Sequence, residues 1–236
     1  EGTMAEDLQE RIETLARWMA EADKLVVFTG AGISTDSGLP DFRGPDGVWT
    51  RRDKGLPPSE KKLDWTSVEP NVAHHVIVDL QQVGKLTFLI SQNIDNLHLK
   101  SGIRPELLAE LHGNLEQVRC TQCELTYPKD TELTACKCGG EFKSSVVGFG
   151  DSLPSKDLTE SFQHSQACDL FLVVGSSLVV TPAAEMPRLA QQAGARLVII
   201  NRGETPLDHM AQLRFDEDIA SVLPPVVEKL KSIISN

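Results

Sequence analysis

Four short apolar runs punctuate the chain: KLVVF (24–28), LTFLIS (86–91), LFLVV (170–174) and RLVII (196–200). Runs this short read as buried strands. The stretches between them carry helical spacing. Leu8, Ile12, Leu15 and Met19 recur at intervals of four, three and four within 7–22, and further helices are expected over 71–83, from 155, over 182–193 and over 219–233. Strands alternating with helices of this length predict a doubly wound, mostly parallel, Rossmann-like α/β sheet. A chain of 236 residues is long enough for one such domain with an insert, and no internal repeat or low-complexity tract interrupts it.

In such folds ligands sit outside the carboxyl ends of the strands. Here those ends read TGAG, SQNID, GSS and NRGE, all small or polar, so four loops are expected to line one crevice. LLAEL (107–111) is strand-like and leads into HGN (112–114), and VVGFG (146–150) resumes extended character. Two segments break the rhythm. Residues 45–70, with Pro45, Pro57, Pro58 and Pro70, read as a surface loop with short helices. Residues 115–143 hold four of the five cysteines. The resulting division places 4–44, 84–114 and 144–236 in the Rossmann-like domain. A loop and helical segment then occupies 45–83, and a cysteine module 115–143.

Those cysteines form C-x-x-C (Cys120, Cys123) and, twelve residues on, C-x-C (Cys136, Cys138). Two close pairs on short turns can converge on zinc as four thiolates, and Gly139 and Gly140 supply the turn beside the second pair. Disulfides and a thioredoxin-like site fit less well: nothing else suggests an oxidising compartment, and a redox motif needs only one pair. Four protein ligands leave no open coordination position, so this metal is structural. Cys168, beside LFLVV, reads as a core residue.

The net charge of −11 argues against direct nucleic-acid binding and favours encounter with a basic partner or simply solubility. No apolar run approaches the ~18 residues of a membrane span. No basic, then apolar, N-terminal signal is evident, Glu1-Gly2-Thr3 ahead of Met4 reads as a cloning remnant set aside from the fold, and a cytoplasmic protein is expected.

The glycine loop FTGAGISTDSGLPDFRG (28–44) departs from the dinucleotide fingerprint. Gly30 and Gly32 match its first two glycines, but Thr35 takes the third position. Asp53 lies near the distance expected of a ribose-binding acid, yet in a proline- and charge-rich loop with no strand before it. Hydride transfer loses ground, whereas amides around 30–34 facing a pyrophosphate remain compatible.

GAGIST with DFRG, QNIDNLH, LHGN, the four cysteines, FGDSLP, GSS and NRGET, in that order from about 24 to 220, resemble the sirtuins, the NAD-dependent protein lysine deacylases. GPDGVWT and SQNIDNLHLKSG are most similar to the branch containing the nuclear vertebrate sirtuins. The resemblance implies cleavage of the nicotinamide–ribose bond with attack of an acyl-lysine oxygen on C1′, and structural Zn²⁺ on the cysteines. Gly30, Ala31, Gly32, Ile33 and Ser34 would follow the cofactor; Asp41, Phe42 and Arg43 would form its loop, with Phe42 covering the reacting ribose face. His112 would be the general base toward the ribose 3′-hydroxyl, work that suits an imidazole near neutral pH. Gln92 and catalytic Asn93 would contact the ribose region. Ile94 and Asp95 would hold the carboxamide, with a helix N-cap as the alternative for Asp95. Gly175, Ser176, Ser177, Asn201, Arg202 and Gly203 would take the adenosine half, Asp218 and Ile219 closing over adenine. His98 is expected to be structural.

By the same resemblance an acyl-lysine protein or peptide would add as a strand beside Val147, Phe149 and Gly150. Gly148 and Asp151 depart from the family's usual residues there. Sirtuins that remove acidic acyl groups carry a tyrosine and an arginine for the distal carboxylate. Tyr127, the one tyrosine, lies in the cysteine segment, so acetyl or longer apolar acyl groups are expected. Two alternatives stay open: mono-ADP-ribosyl transfer from the same site, and an NAD- or ADP-ribose-binding module without turnover.

Overall fold

The computed structural model describes residues 4–44, 47–57, 64–148 and 150–235. The expected N-terminal remnant, together with Pro45, Pro58 and Phe149, lies outside them. In chain order the first elements are α1 (Met4–Glu21), β1 (Leu25–Thr29), α2 (Val48–Asp53), α3 (Val72–Gln82), β2 (Leu86–Ser91), α4 (Leu97–Ser101) and β3 (Leu108–Glu110). Then come β4 (Gln117–Cys120), β5 (Thr126–Pro128), β6 (Phe142–Ser144), α5 (Ser155–Ala167), β7 (Leu170–Val174), α6 (Glu185–Gln192), β8 (Arg196–Ile200), β9 (Leu213–Phe215) and α7 (Ile219–Ile234).

Six strands form one sheet in the order β3-β2-β1-β7-β8-β9, parallel throughout. The strand runs are continuously apolar because both faces are covered. Leu25 and Val27 of β1, Leu170, Leu172 and Val174 of β7, and Val198 and Ile200 of β8 pack with α1, α3 and α7. The alternate residues Val26, Phe28, Phe171, Val173, Leu197 and Ile199 pack with α6, against which Leu158 and Phe162 of α5 also rest. The period-two alternation of Cβ positions thus divides each strand between two cores.

The expected helices and the four long strands are present, with α6 starting at Glu185 because 181–184 form a turn. Three features differ. β9 has only three residues, one of them Arg214, so it carries no apolar run to read; it exists because Gln212 N donates to Leu197 O and Asn201 N to Phe215 O. The cysteine segment folds as a three-stranded antiparallel sheet, β5-β4-β6. Residues 146–148 are not a strand: β6 ends at Ser144, and Val147 N bonds instead to His112 O at 2.9 Å.

Phe171 is fully buried at the centre of the sheet, its ring centroid 6.0 Å from that of Phe28. Phe171→Ala is expected to cost about 3–5 kcal/mol. Urea unfolding followed by far-UV circular dichroism measures this, and a loss under about 1 kcal/mol would contradict the packing described.

Candidate functional site

The strand order reverses between β1 and β7, which places a crevice at their carboxyl ends. Its floor is backbone against backbone. Gly30 N donates to Val174 O and Gly32 N to Gly175 O, while a Cβ on Gly30 would lie 2.7 Å from Gly175 O and one on Gly32 2.8 Å from Gly175 Cα. Gly175 has φ +68, and a Cβ there would meet Ile33 N at 2.5 Å. These glycines therefore serve first to let two loops touch. Above the floor lies a cleft of about 1130 Å³. The residues singled out in the glycine loop, the 41–43 loop, QNID, GSS, NRG and 218–219 all line it, with His112, Val147 and Gly150; Gly30 is the exception, buried beneath.

After β1 the chain turns into a 3-10 helix, Ala31–Ser37. Its buried Ser34 donates to Asp95 Oδ2 at 2.6 Å, and Asp95 Oδ1 accepts from Leu97 N at 3.0 Å. Asp95 thus supports the start of α4 with one oxygen and holds the glycine loop with the other. Burial pushes the Asp95 carboxyl above its ordinary range, against the pull of these hydrogen bonds. Asn93 Nδ2 donates to Gly30 O at 3.1 Å, and Gln92 Oε1 accepts from Ser176 Oγ at 2.6 Å. The QNID loop is therefore tied to both glycine-bearing loops. His98 is buried with Nε2 2.8 Å from Thr29 Oγ1, in keeping with the structural role expected of it.

His112 Nδ1 lies 2.8 Å from Gln92 O. A carbonyl only accepts, so Nδ1 carries the proton and Nε2 keeps its lone pair. Burial lowers the His112 pKa, opposed by the Gln92 contact, which favours the neutral ring. The turn after it is pinned by Asn114. Asn114 Nδ2 donates to Glu110 Oε1 and Asn96 Oδ1, both at 2.8 Å; its amide donates to Ser145 Oγ at 2.9 Å, and Ser145 Oγ donates to Asn114 O at 2.7 Å. Burial pushes the Glu110 carboxyl up to about 8.

Residues 41–44 are fastened to the start of α2. Asp41 Oδ1 accepts from Gly44 N, and Asp41 O and Phe42 O accept from Val48 N and Trp49 N. Arg43 pairs with Asp53 at 2.7 Å and lies 4.9 Å over the Trp49 ring. Phe42, 45% exposed, stands at the cleft against Trp49, with 5.2 Å between ring centroids. At the other end Asn201 Nδ2 donates to Arg202 O and Gly203 O, Gly203 N donates to Asp216 Oδ1, and Arg202 pairs with Asp218. Gly148 N donates to Asp151 Oδ2 at 3.0 Å beside Val147.

Away from the cleft, the sulfurs of Cys120, Cys123, Cys136 and Cys138 all lie within 4.8 Å of one another. Cys120–Cys138 and Cys123–Cys136 are each 3.5 Å apart, and all four thiols are free. Tetrahedral Zn–S bonds of about 2.3 Å require this scale of sulfur spacing. Gly139 takes φ +89, and a Cβ on Gly140 would lie 2.4 Å from Cys120 Sγ, so the knuckle needs both glycines. The residues present fit zinc. Tyr127 Oη contacts Cys136 Sγ at 3.2 Å and so belongs to this module.

The Sir2 family profile matches residues 58–182. An NAD-dependent protein deacetylase of Bradyrhizobium diazoefficiens is 39% identical, covering 95% of this chain and 98% of its own. The chain belongs to the Sir2 family. The NAD-dependent protein deacetylase SRT1 of Oryza sativa subsp. indica is 42% identical over 87% of this sirtuin, which spans only 45% of that protein. A solved Sir2 structure with a p53 peptide and NAD+ is 35% identical, with a TM-score of 0.73, covering 92% of this sirtuin and 97% of that chain.

Several residues with parts in this site were not singled out by the sequence. Asn71, the N-cap of α3, donates to Ile33 O at 2.7 Å and so holds the 3-10 helix from outside. Trp49, Trp65, Leu153 and Glu217 also line the cleft of this sirtuin. Trp49 and Leu153 lie within the quoted motifs GPDGVWT and FGDSLP, which were the cues available for them. For the metal module, elemental analysis is expected to return one zinc per chain. A chelator should open amide exchange across 117–144 before the six-stranded sheet exchanges. Unchanged protection in zinc-free protein would contradict a zinc-held module.

Proposed function

We propose that this sirtuin is an NAD-dependent protein lysine deacylase that transfers the acyl group of acyl-lysine to ADP-ribose. The observation that carries the reading is His112: one ring nitrogen is fixed on Gln92 O, leaving the other as a lone-pair base in a cleft lined by all four strand-end loops. NAD supplies an activated ribose whose C1′ takes the acyl oxygen as nicotinamide leaves. His112 Nε2 takes the proton from the ribose 3′-hydroxyl; the 2′-hydroxyl then attacks the imidate carbon, and water releases the lysine and the acyl-ADP-ribose. Asn93 and Gln92 hold the ribose region, and Asp95, with Ile94, receives the carboxamide. Phe42 shields the reacting carbon from water. Ala31 to Ser34, Asp41 and Arg43 border the phosphates and their loop. Gly175 to Ser177, Asn201 to Gly203, Asp218 and Ile219 take adenosine. Val147 and Gly150 border the peptide. Zinc on the four cysteines holds the β4–β6 sheet. A base beside the ribose favours turnover over a binding module. Four cysteines grouped as metal ligands rather than paired in disulfides suit a cytoplasmic setting.

Mass spectrometry of an acetyl-lysine peptide with and without NAD tests this. Loss of the acetyl group with appearance of acyl-ADP-ribose is expected only with NAD, faster than for a succinyl-lysine peptide, and slowed about 10²–10⁴-fold by His112→Ala. ADP-ribose attached to protein with the peptide intact would make transferase the better reading. The pH profile gives an independent check. His112 acts when neutral and burial lowers its pKa, so the acid limb of kcat/KM should fall below 6.5, the ordinary imidazole value. A limb above that value would remove His112 as the base.

A further inference from the structure

Asp216, Glu217 and Asp218 form the three-residue turn between β9 and α7, and Glu217, Asp218 and Ile219 line the cleft. Three consecutive carboxylates repel one another and any incoming anion unless each is matched. Each has an arginine. Arg214 faces Asp216 at 3.5 Å and Arg202 pairs with Asp218, both from the turn's own neighbourhood. Glu217 is matched from elsewhere, by Arg11 of α1.

That contact is a two-pronged grip. Arg11 Nη2 donates to Glu217 Oε1 at 2.6 Å and Nη1 to Glu217 Oε2 at 3.2 Å. Nη1 also donates to Arg214 O at 2.9 Å, and the guanidinium lies 5.0 Å from the Phe215 ring centroid. Asp7 Oδ2 accepts from Nε at 3.0 Å, fixing the fork from the far side. The pair is partly enclosed, with side chains 21% and 31% exposed, where a bidentate contact outweighs an ordinary surface pair. Arg11 is not what seats α1, since Ile12, Leu15, Ala16 and Met19 bury the helix in the core. Its guanidinium is spent on the turn.

We propose that Arg11 is a positioning residue for NAD: gripping Glu217, it holds the 216–218 turn in place and cancels a carboxylate at the adenosine end of the cleft. This rests on the NAD reading above. Without Arg11 an unmatched Glu217 faces a pyrophosphate-bearing ligand and the turn loses its fastening to α1. Affinity for NAD then falls, while the His112 end and the peptide side are untouched.

The test measures KM for NAD, KM for the acetyl peptide and kcat for wild type, Arg11→Met and Arg11→Met/Glu217→Gln, with calorimetric binding of ADP-ribose. Arg11→Met is expected to raise KM for NAD and Kd for ADP-ribose about tenfold, leaving kcat and peptide KM within about twofold. Adding Glu217→Gln, which removes the orphaned charge, should recover most of the loss. Should Arg11→Met not fold, Arg11→Lys keeps the charge without the fork and is expected to raise KM for NAD about threefold. Wild-type affinity in the single variants overturns the proposal, as does a general loss that the double variant fails to rescue. Wild-type protein that binds neither NAD nor ADP-ribose would instead sink the functional reading on which this stands.

Discussion

The contact on which the site depends is the touching of two backbones, Gly30-Ala31-Gly32 after β1 against Gly175-Ser176 after β7. A single methyl group at Gly30, Gly32 or Gly175 would stand within 2.8 Å of the opposing chain. Central parallel strands end at the same level because their registers are fixed, Thr29 opposite Val174 and opposite Ser91. The loops leaving them must diverge or interleave. Here they interleave, and the crevice is the space the remaining loops cannot fill. The sheet supplies the alignment and the glycines the closeness.

Ser34, Asn93 and Asp95 are buried at that level, and burial of polar groups favours partners inside the protein. Ser34, Asn93 and Asp95 answer one another, Gln92 answers Ser176, and Gln92 O answers His112. The loops are therefore set before any ligand arrives, which suits recognition by preorganised donors and acceptors. The same burial that demands these partners shifts His112 toward its neutral form and makes Asp95 reluctant to ionise. Rigidity and tuned acidity have one cause.

Most of the fold was legible because its strands are continuous apolar runs bounded by loops, a pattern that covering both faces imposes. The cysteines were legible because their spacing is itself the geometry of the knuckle. β9 was not, since three residues with Arg214 at the centre hold no pattern and the strand exists through its pairing with β8. Residues 146–148, read as extended, belong to no strand and bond through Val147 N to His112 O. At the candidate site, most of the residues singled out line one cleft, but how they are attached to one another was not readable. Asn71 reaches Ile33 and Asn114 reaches Asn96 through space, a relation no local window contains. Asp41 and Arg43 line the cleft, yet they are also held by contacts with Gly44, Asp53 and Trp49 that the sequence did not show.

The stem of the metal module has a wider consequence. The chain leaves the main body at Asn114 and returns at Ser145, and those two residues are stitched by reciprocal hydrogen bonds, with Gly113 pressed against the Ser145 carbonyl. The excursion between them is thus a loop whose two feet are fastened by the protein body. Closing a loop costs free energy that grows only with the logarithm of its length. Such a stem lets the intervening segment lengthen, shorten or be exchanged for another fold with little strain passed to the turn that carries His112. Variation there can reshape what approaches the cleft while the reacting end keeps its dimensions.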